Sequence, residues 1–572
     1  MKQAGTSASK GSATGCLISF VTLPTAAIES CHPLASAAEA FRARITKRML
    51  RTHLYAEPQA RFVHNIILES CARFPHKTAI IDSSCGRRIT YSEYGELVER
   101  LARGLIAAGL MPGEVIAIYL PNSWEFCAVY HAATLAGTTP TLLNPSYRER
   151  EVRYQLENSG AAFLITDGPL LQGVSLAGLP SLRRVYTTRQ AAAGTDSFSE
   201  LLHPVSAGWP TPDTPSDQTL AALPYSSGTT GLPKGVMLSH FNLVANVFQF
   251  IGPRASELST DDVALCFLPL YHIYGLNVVL NPILTLGGTL LLVPRFNVPQ
   301  LLSLIVEENV TMMPAVPPAL NALCQAAEAG QFPRNHNLRW VKSGAAPLAP
   351  ELGRRFTELT GILVCQGYGM TEASPVTHVG FLEPELYRPG SIGQPLAQTE
   401  CRVVTDGSEK EVASGQPGEL VMRGPQFMMG YWKDPQATAT VLRDGWFWSG
   451  DIVTRDSDDF FCVVDRRKEM IKYKGFPIAP AEVEALLLEH PAVRDCGVVG
   501  RGDAAAGEIP VAFVVLREGS VASQKLEEDL CRFVAERLTS YKQPRQIHFV
   551  ESLPRTPSGK ILRRELRKVF TS

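Results

Sequence analysis

From about residue 88 the chain alternates between two hydrophobic periods. After Arg88-Ile89-Thr90-Tyr91-Ser92-Glu93, apolar residues recur at helical spacing, which predicts a helix running to Leu110. Residues 115–120 form a short apolar run and predict a strand; 124–136 predict a helix, 139–143 a strand and 162–166 another. Strands and helices in this order predict βαβ units around a mostly parallel sheet. Residues 204–217, rich in Pro, Ser, Thr and Asp, predict a loop. Apolar residues at 220–223 lead into a glycine-rich polar stretch, and 242–250 return to a helical pattern. Near the C-terminus, Pro480-Ala481-Glu482-Val483-Glu484 predicts a capped helix start, with strands at 497–500 and 511–516.

Residues 263–294 contain no Asp, Glu, Lys or Arg, and that length could cross a bilayer. Pro269, His272, Gly275, Asn277, Asn281, Pro282 and the pair Gly287-Gly288 interrupt it, so a strand, a helix and a buried strand are the expectation. Length changes the picture next: 572 residues exceed one compact core and imply two to four domains. At 45% hydrophobic and 19% charged the composition is that of a globular protein, and 54 basic against 55 acidic residues argue against a nucleic-acid or membrane-surface partner. The 12 cysteines show no CxxC pair and no zinc spacing, which points to buried thiols in a reducing compartment, the cytoplasm. Residues 1–48 are rich in Ser, Thr, Ala and Gly, with Arg42, Arg44, Lys47, Arg48 and Arg51 at their end; a disordered extension or an organelle, for example mitochondrial, transit segment fits them. The last residues, Phe570-Thr571-Ser572, are not a peroxisomal address of the Ser-Lys-Leu kind.

Candidate chemistry centres on Tyr225-Ser226-Ser227-Gly228-Thr229-Thr230-Gly231-Leu232-Pro233-Lys234-Gly235-Val236. Glycines let backbone N–H groups turn toward an anion, Ser and Thr hydroxyls add donors, and Lys234 adds charge, as a phosphate-wrapping loop requires. It is not a Walker A loop, because no Gly-Lys pair is followed by Ser or Thr. A bare Ser/Gly run could equally be a surface loop. Four further clusters follow. Leu268-Pro269-Leu270-Tyr271-His272-Ile273-Tyr274 holds a histidine among apolar residues, and Val341-Lys342-Ser343-Gly344-Ala345-Ala346-Pro347 ends a strand in small residues. Gln366-Gly367-Tyr368-Gly369-Met370-Thr371-Glu372 offers an aromatic face for a purine, a hydroxyl for a phosphate and a carboxylate for Mg²⁺. Gly445-Trp446-Phe447-Trp448-Ser449-Gly450-Asp451 places a carboxylate, suited to a ribose diol, after a strand-like turn. Downstream lie the charge run Val464-Asp465-Arg466-Arg467-Lys468-Glu469-Met470-Ile471-Lys472-Tyr473-Lys474-Gly475 and the tight turn Pro557-Ser558-Gly559-Lys560. Taken singly, each has a plainer reading: a core histidine, a solvated carboxylate, a charged face, a basic tail.

In this order, from about residue 49 to 570, the motifs resemble those of the adenylate-forming enzymes, the superfamily of acyl-CoA synthetases, 4-coumarate–CoA ligase-like aryl-CoA ligases and firefly luciferase. The resemblance implies an α/β protein: a large N-terminal domain of several subdomains with mostly parallel sheets at 49–465, and a small α+β domain at 466–572 that moves about a hinge, Lys468. It implies ATP or AMP contacts from Ser226, Ser227, Gly228, Thr229, Thr230, Gly231, Lys234, Gly344, Ala345, Ala346, Gln366, Gly367, Tyr368, Gly369, Thr371, Asp451, Arg466 and Lys560. His272, Thr371, Glu372 and Lys560 become the catalytic candidates, with Glu372 the metal ligand, and Lys472, Lys474 and Gly475 face coenzyme A. The acyl pocket is expected from Tyr274, Val278, Gly344, Gly369, Pro375 and Val376, with the glycines leaving room for a ring or a long chain. Most aryl-CoA ligases carry leucine where this chain has Arg467.

The implied reaction joins a hydrophobic carboxylate to coenzyme A through acyl-AMP, at the cost of ATP with Mg²⁺. A carboxylic acid of pKa about 4 is already ionised at neutral pH, so the first half needs charge neutralisation and positioning rather than a base. A thiol of pKa about 8.5 then displaces AMP with modest activation. An adenylating enzyme with a carrier-protein or other acceptor and a non-catalytic nucleotide-binding scaffold are the competing readings, and the oligomeric state is left at monomer or homodimer.

Overall fold

The helix Tyr91–Ala107 begins where its own sequence caps it. The Thr90 hydroxyl accepts the Glu93 backbone N–H while the Glu93 carboxylate accepts that of Thr90, a capping box that satisfies two otherwise orphaned donors. Arg87–Thr90 just before it is a short strand paired with Thr78–Asp82, so the helix starts later than Arg88. The computed structural model describes residues 61–203, 218–226, 233–252, 258–405, 407–474, 476–503, 506–556 and 559–570. The expected N-terminal extension, the loop at 204–217, Ser227 to Gly231 and Gly475 lie outside the described residues.

Two parallel arrays form the frame. In the first, the strands run in the order Thr139–Leu142, Val115–Tyr119, Phe163–Thr166, Arg184–Thr187, Asp196–Ser197, every pair parallel. Val115–Tyr119 is buried along its whole length, as expected of a strand covered on both faces. The second is a nine-stranded sheet, parallel from Thr78–Asp82 through Thr289–Leu292, Val263–Cys266, Met312–Ala315 and Trp340–Ser343 to Val364–Gly369. Its outer strands, Arg87–Thr90 on one side and Val376–Val379 with Gln394–Pro395 on the other, are antiparallel. The uncharged stretch 263–294 supplies two adjacent strands of this sheet and, between them, the π-helical turn Gly275–Leu280 running into the helix Asn281–Leu286. Among the described residues no helix is long and apolar enough to cross a membrane.

An antiparallel sheet follows, built from Glu400–Val404, Gly418–Arg423, Trp446–Arg455, Leu442–Arg443 and Phe461–Arg466. The C-terminal part has its own five-stranded sheet around the long hairpin Val493–Asp503 and Gly507–Leu516, and its own apolar core, including Ile471, Val483, Leu487, Val498, Val514 and Leu530. Its helix Pro480–Leu488 has no side-chain cap within its own sequence, contrary to expectation. Asp465, at the end of the preceding sheet, accepts the Ala481 N–H at 2.8 Å instead. The whole is an α/β protein with a large N-terminal part of mostly parallel sheets and a smaller C-terminal part. Six of the ten cysteines described are buried, and burial pushes thiols such as Cys71 and Cys365 up, to about 12 and about 11.

Candidate active site

The described residues on either side of the expected phosphate loop are two paired strands. Tyr225–Ser226 pairs antiparallel with Lys234–Ser239, Lys234 opposite Ser226 and Gly235 opposite Tyr225, so Ser226 and Lys234 face each other at its neck. A Cβ at Gly235 would press on Leu223, Trp432 and the Tyr225 ring at 3.1–3.2 Å, which explains a glycine there. The Ser226 hydroxyl donates to Glu372 Oε1 at 3.3 Å, and the Tyr431 hydroxyl to the same oxygen at 2.9 Å. Lys234 pairs with Asp434 at 3.0 Å and stands over the Tyr431 ring. The carboxylate proposed for Mg²⁺ therefore sits at the mouth of the loop proposed for phosphates. One carboxylate beside hydroxyls suits an ion that keeps water and substrate phosphate oxygens as most of its ligands.

The strand Val364–Gly369 carries Gln366, Gly367, Tyr368 and Gly369 and leads into the turn Thr371–Ala373. Gln366 spends its side chain on structure: its carbonyl accepts the Leu348 N–H at 2.9 Å, and its amide donates to the Ser391 carbonyl at 3.3 Å. That bond braces the small-residue loop Gly344-Ala345-Ala346, where Ala345 holds a left-handed φ of 65°. The two pocket glycines serve a different purpose from the one expected. A Cβ on Gly369 would lie 1.9 Å from the Pro375 carbonyl oxygen, and one on Gly344 would meet the Tyr274 ring at 3.0–3.3 Å. Glycine is required there because backbone and ring already fill the space, not because space is left over.

These contacts gather the acyl-pocket candidates. Tyr274 lies against Gly344 and donates its hydroxyl to the Lys342 carbonyl at 3.1 Å. Val278 lies on the same π-helical turn, buried beside Asn277, whose amide donates to the carbonyls of Ser374 at 2.6 Å and Leu243 at 3.1 Å. Asn246 brackets Val376, accepting its N–H at 3.1 Å and donating to its carbonyl at 2.8 Å. His272 accepts the Tyr274 N–H on Nδ1 at 3.2 Å, and burial lowers its pKa to about 4, so it is a neutral imidazole at physiological pH.

Asp451 and Arg466 face each other on neighbouring antiparallel strands, Trp446–Arg455 and Phe461–Arg466. Asp451 thus lies inside a strand, not after a turn; what precedes it is a bulge with Gly450 at a φ of 71°. Arg466 Nε stands 3.1 Å from Asp451 Oδ1, and the Tyr368 hydroxyl donates to Oδ2 at 2.5 Å. Asp451 is 3% exposed, and among the described residues its Oδ1 accepts no hydrogen bond. The Asp451 charge raises the Arg466 pKa further above its ordinary value, while burial, then Asp451, raises that of the Tyr368 phenol.

Lys560 arrives from the far end of the chain. The Thr556 N–H donates to the Lys560 carbonyl at 2.8 Å and the Lys560 N–H to the Thr556 hydroxyl at 3.0 Å, closing the turn. Gly559, at a φ of 85°, packs so closely on Pro318 of the helix Pro317–Glu328 that a Cβ would come within 3.0 Å. Burial lowers the Lys560 pKa to about 8; Arg466 adds to the shift, while Asp451 and Glu469 oppose it. The lysine therefore shares the electrostatic environment of the Asp451–Arg466 pair. Lys468, Lys472 and Lys474 are exposed, and among the described residues neither Lys472 nor Lys474 contacts that group. Lys472 is fastened through its N–H to Glu508 at 2.8 Å, and Lys474, at a φ of 49°, to the Ala506 carbonyl at 2.7 Å. Sequence patterns missed Asn246, Asn277, Tyr431 and Asp434. A hint existed only for Asn277, a carboxamide inside a long apolar run.

A hairpin neck with a carboxylate at its mouth, a buried Asp451 paired with the half-exposed Arg466, and a C-terminal lysine within electrostatic reach of both define the class of adenylate-forming enzymes. The model of the family described as AMP-binding enzyme matches residues 67–432 and that of the AMP-binding enzyme C-terminal domain matches 482–560; the chain belongs to this family. Among characterised relatives, 4-coumarate-CoA ligase 1 of Narcissus pseudonarcissus is 38% identical over 515 residues, spanning 88% of this chain and 93% of its own. Among solved structures, the anthranilate CoA ligase AuaEII in complex with anthranoyl-AMP superposes with a TM-score of 0.81 at 26% identity, covering 90% of this chain and 98% of that one. ATP-bound MatB from Rhodopseudomonas palustris gives 0.80 at 28% identity, covering 89% and 99%.

Proposed function

We propose that this chain is an AMP-forming acid–CoA ligase that activates a hydrophobic carboxylate, aryl or of medium to long chain, as acyl-AMP and passes the acyl group to coenzyme A. The observation that carries the reading is that Lys560 lies within electrostatic reach of Asp451 and Arg466 although more than a hundred residues separate it from the former. In the first half an anion must approach a polyanion, so catalysis comes from charge and position. The protonated Lys560 ammonium bridges the carboxylate and the α-phosphate. Ser226, the loop from Ser227 to Gly231, Lys234 and Thr371 hold the β- and γ-phosphates. Asp451, with Arg466 and Tyr368 fixing its orientation, receives the ribose hydroxyls, and the backbone of Gly344 to Ala346 and Gln366 to Gly369 flanks the adenine. Glu372 would hold Mg²⁺, which supplies further neutralisation of the phosphate charge when bound.

The acid lies among Tyr274, Val278, Gly344, Gly369, Pro375 and Val376. Val278 offers no polar partner, so an unhydroxylated or weakly polar tail suits it. His272, neutral, stands beside the acyl path without adding charge. In the second half the residues after Lys468 swing as a small domain, 466–572, away from 49–465. That withdraws Lys560 and brings Lys472, Lys474 and Gly475 to the thiol. The acceptor is free coenzyme A. ATP–pyrophosphate exchange across cinnamic, benzoic and fatty acids, followed by thioester detection, tests the whole. Exchange and CoA thioester together support it; exchange with no thioester transfers the reading to another acceptor, and no exchange with any acid overturns it.

A further inference from the structure

Trp446–Arg455 departs from regular pairing just where its functional candidate sits. Val421 pairs with Trp448 but Glu419 with Ile452, so Ser449, Gly450 and Asp451 bulge opposite Leu420. A bulge re-aims a side chain and strands backbone groups that need other partners. Here Ser449 donates its hydroxyl to the Leu420 carbonyl at 2.7 Å and accepts the Asp451 N–H at 3.0 Å. Glu419, 2% exposed, accepts the Gly450 N–H on Oε1 at 3.1 Å. Its other oxygen accepts Arg467 Nη1 at 2.8 Å. The Arg467 N–H, in turn, donates to the Gly450 carbonyl at 2.8 Å.

We infer that Glu419 and Arg467 are positioning residues for nucleotide binding: a clamp on the residue before Asp451 and the residue after Arg466 that fixes how this pair meets the ribose. The inference rests on the reading of Asp451 and Arg466 as the ribose holders. One buried carboxylate touches Gly450 inside one strand and Arg467 just past the end of the next, and these two residues also bond each other. Loosening either bond frees Gly450 to turn, and with it the direction of the Asp451 carboxylate. A leucine in place of Arg467 would leave Gly450 tied to Glu419 and to the residue 467 main-chain N–H, but remove the side-chain cross-tie from Glu419 to the segment that carries Arg466. It would also take one guanidinium away from the buried Glu419 carboxylate.

The full chain is assayed by ATP–pyrophosphate exchange with the acid giving fastest exchange in the panel, and by calorimetric titration with AMP and 3′-deoxyAMP. Arg467→Leu is expected to raise the KM for ATP about five- to tenfold, to leave the KM for the acid unmoved, and to shrink the preference for AMP over 3′-deoxyAMP by a similar factor. Arg467→Lys should recover most of both. If Arg467→Leu does not fold, Arg467→Leu combined with Glu419→Gln, which removes the buried negative charge as well, is measured in its place with the same expectation. A lowered melting temperature with both ATP KM and ribose preference within twofold of the unaltered protein overturns the clamp. Asp451→Asn separates the two levels. If it abolishes the ribose preference while Arg467→Leu does not, the clamp falls and the ribose reading stands; if it leaves the preference intact, the ribose reading fails first.

Discussion

The two ends of the proposed site are held in opposite ways. Asp451 sits in the large N-terminal part, inside a strand, in contact with Tyr368 and Arg466, and its bulge is stitched by Ser449 and Glu419. Lys560 sits on a short turn of a part with its own sheet and its own core. It is seated against the rest by a glycine pressed on Pro318 and, at one remove, by Asp465 reaching the helix Pro480–Leu488. A group meant to bind nucleotide throughout gains from many buried hydrogen bonds, because each one narrows its orientation. A charge meant to be present for one half-reaction and absent for the next gains from few. The contrast in anchoring mirrors the contrast in proposed duty: a fixed cradle and a removable cation.

The sharpest way to break that contrast is to remove the cation alone. Lys560→Ala should lower ATP–pyrophosphate exchange by about 10²–10³ while thioester formation from supplied acyl-AMP stays within a few-fold. Equal loss in both assays would mean that the lysine is part of the cradle after all. Next comes the hinge. Lys468→Pro, by restricting φ where the chain must turn, should leave exchange measurable and cut thioester formation by about 10². If both halves drop together, the two regions do not move independently.

The smallest expected effect is a pH limb. Lys560 has its pKa lowered by burial to about 8, so its charge is present at pH 7, half lost near pH 8 and absent well above it. The kcat/KM of exchange should therefore fall by about a factor of two near pH 8 and about tenfold per unit beyond. The limb for kcat should lie at higher pH, since bound phosphate and carboxylate favour the ammonium. A kcat/KM profile that is flat to pH 9.5 in the unaltered protein would detach this lysine from the reaction. His272, held neutral with a pKa of about 4, should contribute no limb between pH 6 and 8.

Legibility in the sequence followed locality. The helix Tyr91–Ala107, the buried strand Val115–Tyr119 and the strand–helix–strand over 263–294 were readable because each declares itself by period and by its caps. The residues of the proposed cradle were readable because they stand in dense motifs of uncommon composition. Glu419 and Tyr431 were not, since each acts on a partner tens of residues away and its neighbours in the chain carry no mark of it. Arg467 stood out as a departure, yet only the strand beside it revealed Glu419 as its partner.

By itself, the order of residues determined the fold class, the family and which side chains could carry the chemistry, because periodicity and motif density are properties of neighbours. Tertiary structure alone decided that Asp451 lies on a bulge, that Gly369 is glycine for the Pro375 carbonyl, and that Lys560 comes within electrostatic reach of Arg466. Those facts depend on close approach between distant segments. Such approach is set by sheet register and packing, which no local window contains.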